Sequence, residues 1–163
     1  MKYIFVSGCQ RCGTRFYANY LANLYNFKFI DEGKYNIQDY NKLKGLLNEN
    51  SVIHCPSLKG KIKEIKKDFP ESIIIWMYRN PQECINSMKK IDWGTSADDE
   101  LDKLSKEFDF VKISGKEFEK VIEYSLELGL KYFKEELVDQ LINMKSIEHL
   151  KGFKKNQYVR KLI

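Results

Sequence analysis

The stretch from Ser72 to Tyr78, SIIIWMY, constrains the fold more than any other part of the chain. It is strand length, rich in β-branched residues and apolar at successive positions, so it reads as a strand buried on both faces. Such a strand needs helices above and below it, and the neighbouring sequence supplies them. Residues 3–7, 27–31 and 51–55 are further short apolar runs. Between them, residues 14–26 carry Tyr17, Leu21 and Leu24 at i, i+4, i+7, and residues 37–47 and 58–68 read as two further helices. Asn80-Pro81 then opens another helix, with Asn as the cap and Pro at its first position. Strands alternating with helices predict an α/β fold in three layers, α/β/α, around a parallel sheet of about four strands with right-handed crossovers.

Beyond residue 91 the pattern changes. Residues 92–99 (DWGTSADD) read as a loop and residues 116–144 as helix, which Gly129 is expected to divide in two. The chain of 163 residues is long enough for one ordinary core. A single domain is expected, with residues 1–91 as an α/β core and residues 92–163 as a mainly helical part. No apolar run approaches the roughly 20 residues that span a bilayer. No secretory leader is recognisable at the start, and a cytoplasmic protein without membrane contact is expected. The net charge of +5 suits an anionic small ligand and equally a weak nucleic-acid contact, so it decides nothing alone. There is no long block of one sign, and no nucleic-acid partner is expected. Lys59, Lys61, Lys63, Lys66 and Lys67 are read as the solvated face of a helix, with an anion-attracting rim as the lesser reading.

The chemistry concentrates where the first strand meets the first helix, in SGCQRCGTR. Gly8 and Gly13 allow a sharp turn and close approach to an anion. The following helix aims its unpaired N–H groups and positive dipole end at the loop. Thr14 adds a hydroxyl, and Arg11 and Arg15 add fixed charge. The spacing G-x-x-x-x-G matches the opening of a nucleotide-triphosphate loop. The Lys and Ser/Thr that should follow are here Thr14 and Arg15, and arginine does not ligate magnesium. A phosphate site working without a metal is expected.

Arg11-Cys12-Gly13-Thr14, opening a helix after a strand, resembles the 5′-phosphosulfate loop of sulfotransferases. Cys12 and Arg15 depart from the residues usual there. A second segment is similar to the 3′-phosphate motif of the same family: an apolar strand, then Arg79-Asn80-Pro81, then Ser87 with the family spacing. His54, at the end of the third strand in VIHCP, resembles the family's strand-end base. An ordinary imidazole pKa near 6.5 suits it to take an alcohol proton. The likeness covers about residues 3–91. It implies a P-loop-type sheet, 3′-phosphoadenosine 5′-phosphosulfate as donor, 3′,5′-adenosine bisphosphate as product, and no metal. It implies a cradle of Gly8, Cys9, Gln10, Arg11, Cys12, Gly13, Thr14 and Arg15, with Phe16 packing on the adenine. Arg79 and Ser87 would hold the 3′-phosphate, and Arg11 and His54 would be catalytic. The acceptor, a small molecule or a peptide or glycan, has no readable motif, and residues 32–50, residues 92–109 and the helical tail are expected to select it. Trp93, Phe108 and Phe110 are read as core rather than pocket, and His149 as a surface residue. The family's third donor-binding segment has only a faint echo at Leu150 to Lys155. The helical part is a candidate oligomer contact.

Other readings stay open at this level. Cys9-x-x-Cys12 before a helix also resembles a glutaredoxin start, although Pro56 leads into a predicted helix where that fold needs a strand. Cys9, Cys12, Cys55 and Cys84, with His54, could be zinc ligands, but Cys84 falls inside a helix and no second C-x-x-C exists. A nucleotide kinase lacks its Lys-Ser/Thr pair. A nucleotide-binding module without turnover is the remaining alternative.

Overall fold

A computed structural model describes residues 1–9, 11–35, 37–90 and 118–150. Five strands form one sheet in the order β2-β3-β1-β4-β5, and every neighbouring pair is parallel. They are β1 (Tyr3–Gly8), β2 (Lys28–Asp31), β3 (Ser51–His54), β4 (Ile73–Tyr78) and β5 (Gln140–Asn143). The helices are α1 (Thr14–Tyr25), α2 (Glu32–Tyr35), α3 (Tyr40–Leu46), α4 (Ile62–Asp68), α5 (Pro81–Lys90) and α6 (Phe118–Lys134). Two 3₁₀ segments, Pro56–Lys61 and Met144–Leu150, complete the described chain.

The predicted double burial of β4 is present: Ile74, Ile75, Trp76 and Met77 are all buried. Ile75 and Met77 face α1 and α5, packing with Val6, Ala18, Leu21 and Cys84. Ile74 and Trp76 face the other way, against Phe5, Leu43, Ile65 and Tyr132 of α6. Two apolar clusters on opposite sides of one parallel sheet make the three-layer α/β/α fold.

Four local expectations change. Residues 140–143, inside the stretch read as helix, form a strand that brings the described sheet to five. Their register is pinned by Asp139, whose backbone N–H donates to the Ile74 carbonyl (2.8 Å) while its carboxylate accepts from the Ile74 N–H (2.7 Å) and the Lys66 ammonium (2.9 Å). Gly129 does not divide α6. A Cβ there would collide with the Trp76 indole, so glycine lets an unbroken helix sit directly on the sheet's largest side chain. The helix expected over 37–47 begins only at Tyr40, capped by the Asp39 carboxylate, which accepts from the Asn41 N–H at 2.9 Å. The helix expected over 58–68 is a 3₁₀ turn to Lys61 followed by α4. By contrast, Asn80 caps α5 as expected, its side-chain oxygen accepting from the Gln82 N–H at 2.9 Å.

Because all five strands run the same way, their carboxyl ends share one rim: Gly8, Asp31, His54, Tyr78 and Asn143. Open parallel sheets bind ligands on that rim, where the strand order reverses. Here it reverses around β1, whose neighbours β3 and β4 follow it in sequence by opposite routes. Among the described residues, no helix is long and apolar enough to cross a membrane.

Candidate functional site

β1 leaves the sheet at Gly8, where φ is 136° and a Cβ would collide with the Met77 carbonyl of β4. The loop then coils through Arg11 (φ 63°) and Gly13 (φ 77°) into α1. A non-glycine residue in the left-handed region costs about 1–3 kcal/mol, and such strain concentrates at ligand clamps. The first turn of this 12-residue helix holds no acidic side chain that would cancel its positive end. Gln10 lies outside the described residues.

The loop cysteines point inward. Cys9 and Cys12 are buried, and Cys12 Sγ lies 3.5 Å from Cys84 Sγ. Hydrogen bonds with Cys84 and Cys9, then burial, push the Cys12 thiol far above its ordinary pKa. Burial does the same to Cys55. A redox or nucleophilic thiol needs the opposite shift. Pro56 opens a 3₁₀ turn rather than a strand. Among the described residues no three metal-ligating side chains converge. Cys9, Cys12 and Cys84 pack together on the α1 and α5 side of the sheet, and Cys55 belongs to the cluster on the opposite side.

The second predicted half-site meets the first. Arg11 donates from Nε (3.1 Å) and Nη2 (3.0 Å) to Ser87 Oγ on α5. Arg79, one residue beyond β4, reaches the Arg11 carbonyl at 3.5 Å and pairs its Nε with Glu83 Oε2 at 3.0 Å. Two arginines and a serine hydroxyl converge on the rim with one carboxylate, leaving an excess of positive charge. Glu83 is a member that sequence reasoning missed. It stands four residues after Arg79, on the helix the Asn-Pro cap starts, so the spacing was available.

His54 is buried beneath the start of α1 with both ring nitrogens engaged. Nδ1 lies 2.9 Å from Asp31 Oδ1, and Nε2 lies 3.0 Å from Thr14 Oγ1. Asp31 also takes Arg15 Nη2 at 2.7 Å. β2 and β3 pair Asp31 with His54 directly in register. Burial lowers the His54 pKa, Asp31 opposes the shift and Arg15 adds to it, so the ring is neutral near pH 7. Burial alone would raise the Asp31 pKa, but the hydrogen bond and charge of His54, with Arg15, bring it below the ordinary value. An ionised carboxylate only accepts, so Nδ1 carries the ring proton and Nε2 accepts from the Thr14 hydroxyl. From the sequence alone, Arg15 and Thr14 are expected to face an anion. In the structure Arg15 is tied to Asp31, and the Thr14 proton is directed at His54. Asp31 itself went unnoticed because a strand-end aspartate becomes informative only once the register is known.

This chain of contacts has a pH signature. The folded-state pKa of His54 lies below its unfolded value, so unfolding takes up a proton once the pH falls below about 6.5. Stability contributed by neutral His54 is fully present above that pH and is lost as pH falls through the folded pKa. Melting temperature is therefore expected to decline from pH 7.5 to pH 5, and His54→Gln should flatten that decline. An equal slope in the variant would show that His54 is not the linked group.

Phe16 is half-buried and packs against the α1 side of the sheet. His149 is exposed, as read. Trp93, Phe108, Phe110 and the residues after Leu150 lie outside the described residues. A groove of about 440 Å³ between α3 and the 3₁₀ turn is lined by Tyr40, Lys44, Ser57, Lys61 and Asp68, among others. It includes part of the segment 32–50. Its charges are largely paired, Lys44 with Asp68 and Lys61 with Glu64. No protein-family model matches this sequence, and none of the curated proteins compared with it matches.

Proposed function

We propose that this chain is a sulfotransferase that binds 3′-phosphoadenosine 5′-phosphosulfate and passes its sulfuryl group to a hydroxyl or amine acceptor. The observation that carries the reading is the Arg11–Ser87 contact. Two motifs, read independently as a phosphosulfate loop and a 3′-phosphate site and 76 residues apart, touch on one rim of the sheet. A ligand with anionic groups on both the 3′ and the 5′ oxygens of one ribose would engage both motifs, which a nucleotide with a single phosphate chain would not. The four cysteines are buried and none is in a disulfide, which agrees with a reducing compartment, the cytoplasm.

On this reading the phosphosulfate lies across the loop, and Arg79 and Ser87 hold the 3′-phosphate through charge-assisted hydrogen bonds. In the transfer, an acceptor oxygen forms its bond to sulfur as the bond from sulfur to the bridging oxygen breaks. Arg11 neutralises the charge that gathers on that leaving oxygen. His54 acts through Thr14: the acceptor proton passes to Thr14 Oγ as the Thr14 proton passes to His54 Nε2. The resulting imidazolium is held by Asp31, as in other relays that pair a hydroxyl, an imidazole and a carboxylate.

Calorimetry tests the reading directly. 3′,5′-Adenosine bisphosphate should bind in the presence of EDTA, and 5′-AMP should bind at least about tenfold more weakly, since one lost charge-assisted contact is worth roughly 1.5–3 kcal/mol. Equal affinity for the two nucleotides, or binding that disappears with EDTA, would overturn the assignment.

A further inference from the structure

Lys59 does not lie on the solvated face that its spacing with Lys63, Lys66 and Lys67 predicts; it is only 1% exposed, among the largest fully buried side chains of the protein. The reason is local. The segment Pro56–Lys61 is 3₁₀ turn kinked at Leu58 (φ −94°, ψ 16°), so Lys59 does not continue the helical face of α4. Pro56, Ser57 and Leu58 are buried beside it.

Burying an ammonium is costly unless an anion meets it. Among the described residues none forms an ion pair or hydrogen bond with Lys59. The nearby carboxylate, Glu32, accepts from the Ser57 N–H and hydroxyl instead. The fully buried polar side-chain atoms left without a partner are Ser72 Oγ, Trp76 Nε1 and Ser125 Oγ, and Lys59 Nζ is not one of them. The side chain is thus enclosed along its stem, while its ammonium keeps an opening and is met by no described group.

Its place in the fold suggests what the charge is for. The 3₁₀ turn begins two residues after His54, on the carboxyl rim, and packs against β1 at the strand that feeds the phosphate loop. The Cys55 N–H donates to the Val6 carbonyl (3.0 Å), and the Ser7 hydroxyl to the Cys55 carbonyl (3.3 Å). The segment that carries Lys59 therefore starts on the rim that also carries the loop, Arg79 and His54.

We infer that Lys59 is a further anion-contacting residue of this site, its ammonium meeting a phosphate or sulfate oxygen of the bound ligand. The inference deepens the proposed function and rests on it for the identity of the ligand, but not for the class of anion. The test is thermal unfolding of wild type, Lys59→Met and Lys59→Gln in low-anion buffer, repeated with sodium sulfate and with 3′,5′-adenosine bisphosphate. Because no described group meets the ammonium, ligand-free Lys59→Met should melt no lower than wild type, and up to about 8 °C higher. Both variants should bind each anion on the order of tenfold or more weakly than wild type. Wild-type affinity for both anions in the variants would overturn the inference, as would a lowered ligand-free melting temperature in both. If wild type fails to distinguish the bisphosphate from 5′-AMP while sulfate still binds wild type and not the variants, the nucleotide assignment falls and Lys59 stands.

Discussion

Replacing Arg79 by alanine is expected to weaken binding of 3′,5′-adenosine bisphosphate on the order of 30- to 150-fold, the equivalent of losing about 2–3 kcal/mol from a charge-assisted pair. Arg79 is mostly buried at the carboxyl end of β4, with its Nε already held by Glu83 at 3.0 Å. That bond fixes the plane of the guanidinium, so its remaining N–H groups are aimed before a ligand arrives, and little side-chain entropy is lost on binding. The alanine variant also leaves Glu83 without its partner, close to where the 3′-phosphate would sit. Repulsion between carboxylate and phosphate then adds to the loss, and Arg79→Ala with Glu83→Gln should recover part of it. Affinity for 5′-AMP should stay within about twofold, because a distant phosphate keeps its own contacts. If both nucleotides weaken together in calorimetry, Arg79 supports the loop rather than reading the 3′-phosphate.

The second large effect concerns the backbone. Gly8→Ala is expected to destabilise the protein by about 3–5 kcal/mol, combining a disfavoured positive φ with a forced collision. For a chain of this size that is a fall in melting temperature of roughly 8–16 °C. A Cβ at position 8 would enter the Met77 carbonyl, and Gly8 and Met77 are partners in the β1–β4 register. The backbone of a central strand has no flexible end that could yield. Gly45 is the control: it sits in α3, a Cβ there meets nothing within 4 Å, and its φ is not positive. Gly45→Ala should therefore be neutral or stabilising, by up to about 1 kcal/mol. Calorimetric unfolding of the two variants separates the cases, and a Gly8→Ala protein melting like wild type would mean that β1 does not end against β4 as described.

Much of the fold was readable because its signals are local. A run such as SIIIWMY states its own burial on both faces, and alternation with amphipathic stretches then demands parallel strands with helices above and below. The Asn80-Pro81 cap is equally local: a side-chain oxygen, two residues' reach and a preset φ. The missed strand, Gln140–Asn143, has no such signature. It is four residues long, at the sheet edge and only half-buried, and it is held by Asp139 to Ile74 across 65 residues of sequence. Gly129 was misread for a related reason, since glycine inside a helix looks like a break until the indole of Trp76 is known to occupy the space.

The candidate site divides along the same line. Glycine spacing, the strand-to-helix transition, the placement of Arg11, Arg79 and His54 near strand ends and that of Ser87 on the helix after β4 were all determined by the sequence, because each depends on a few neighbouring residues and on the shared direction of parallel strands. Only the tertiary structure decided that Arg11 rests on Ser87, that Asp31 orients His54 toward Thr14, that Arg15 is drawn to Asp31, and that Lys59 is enclosed instead of solvated. These facts depend on the register between strands far apart in the chain and on a 3₁₀ segment kinked at Leu58. Both are settled by packing of the whole core.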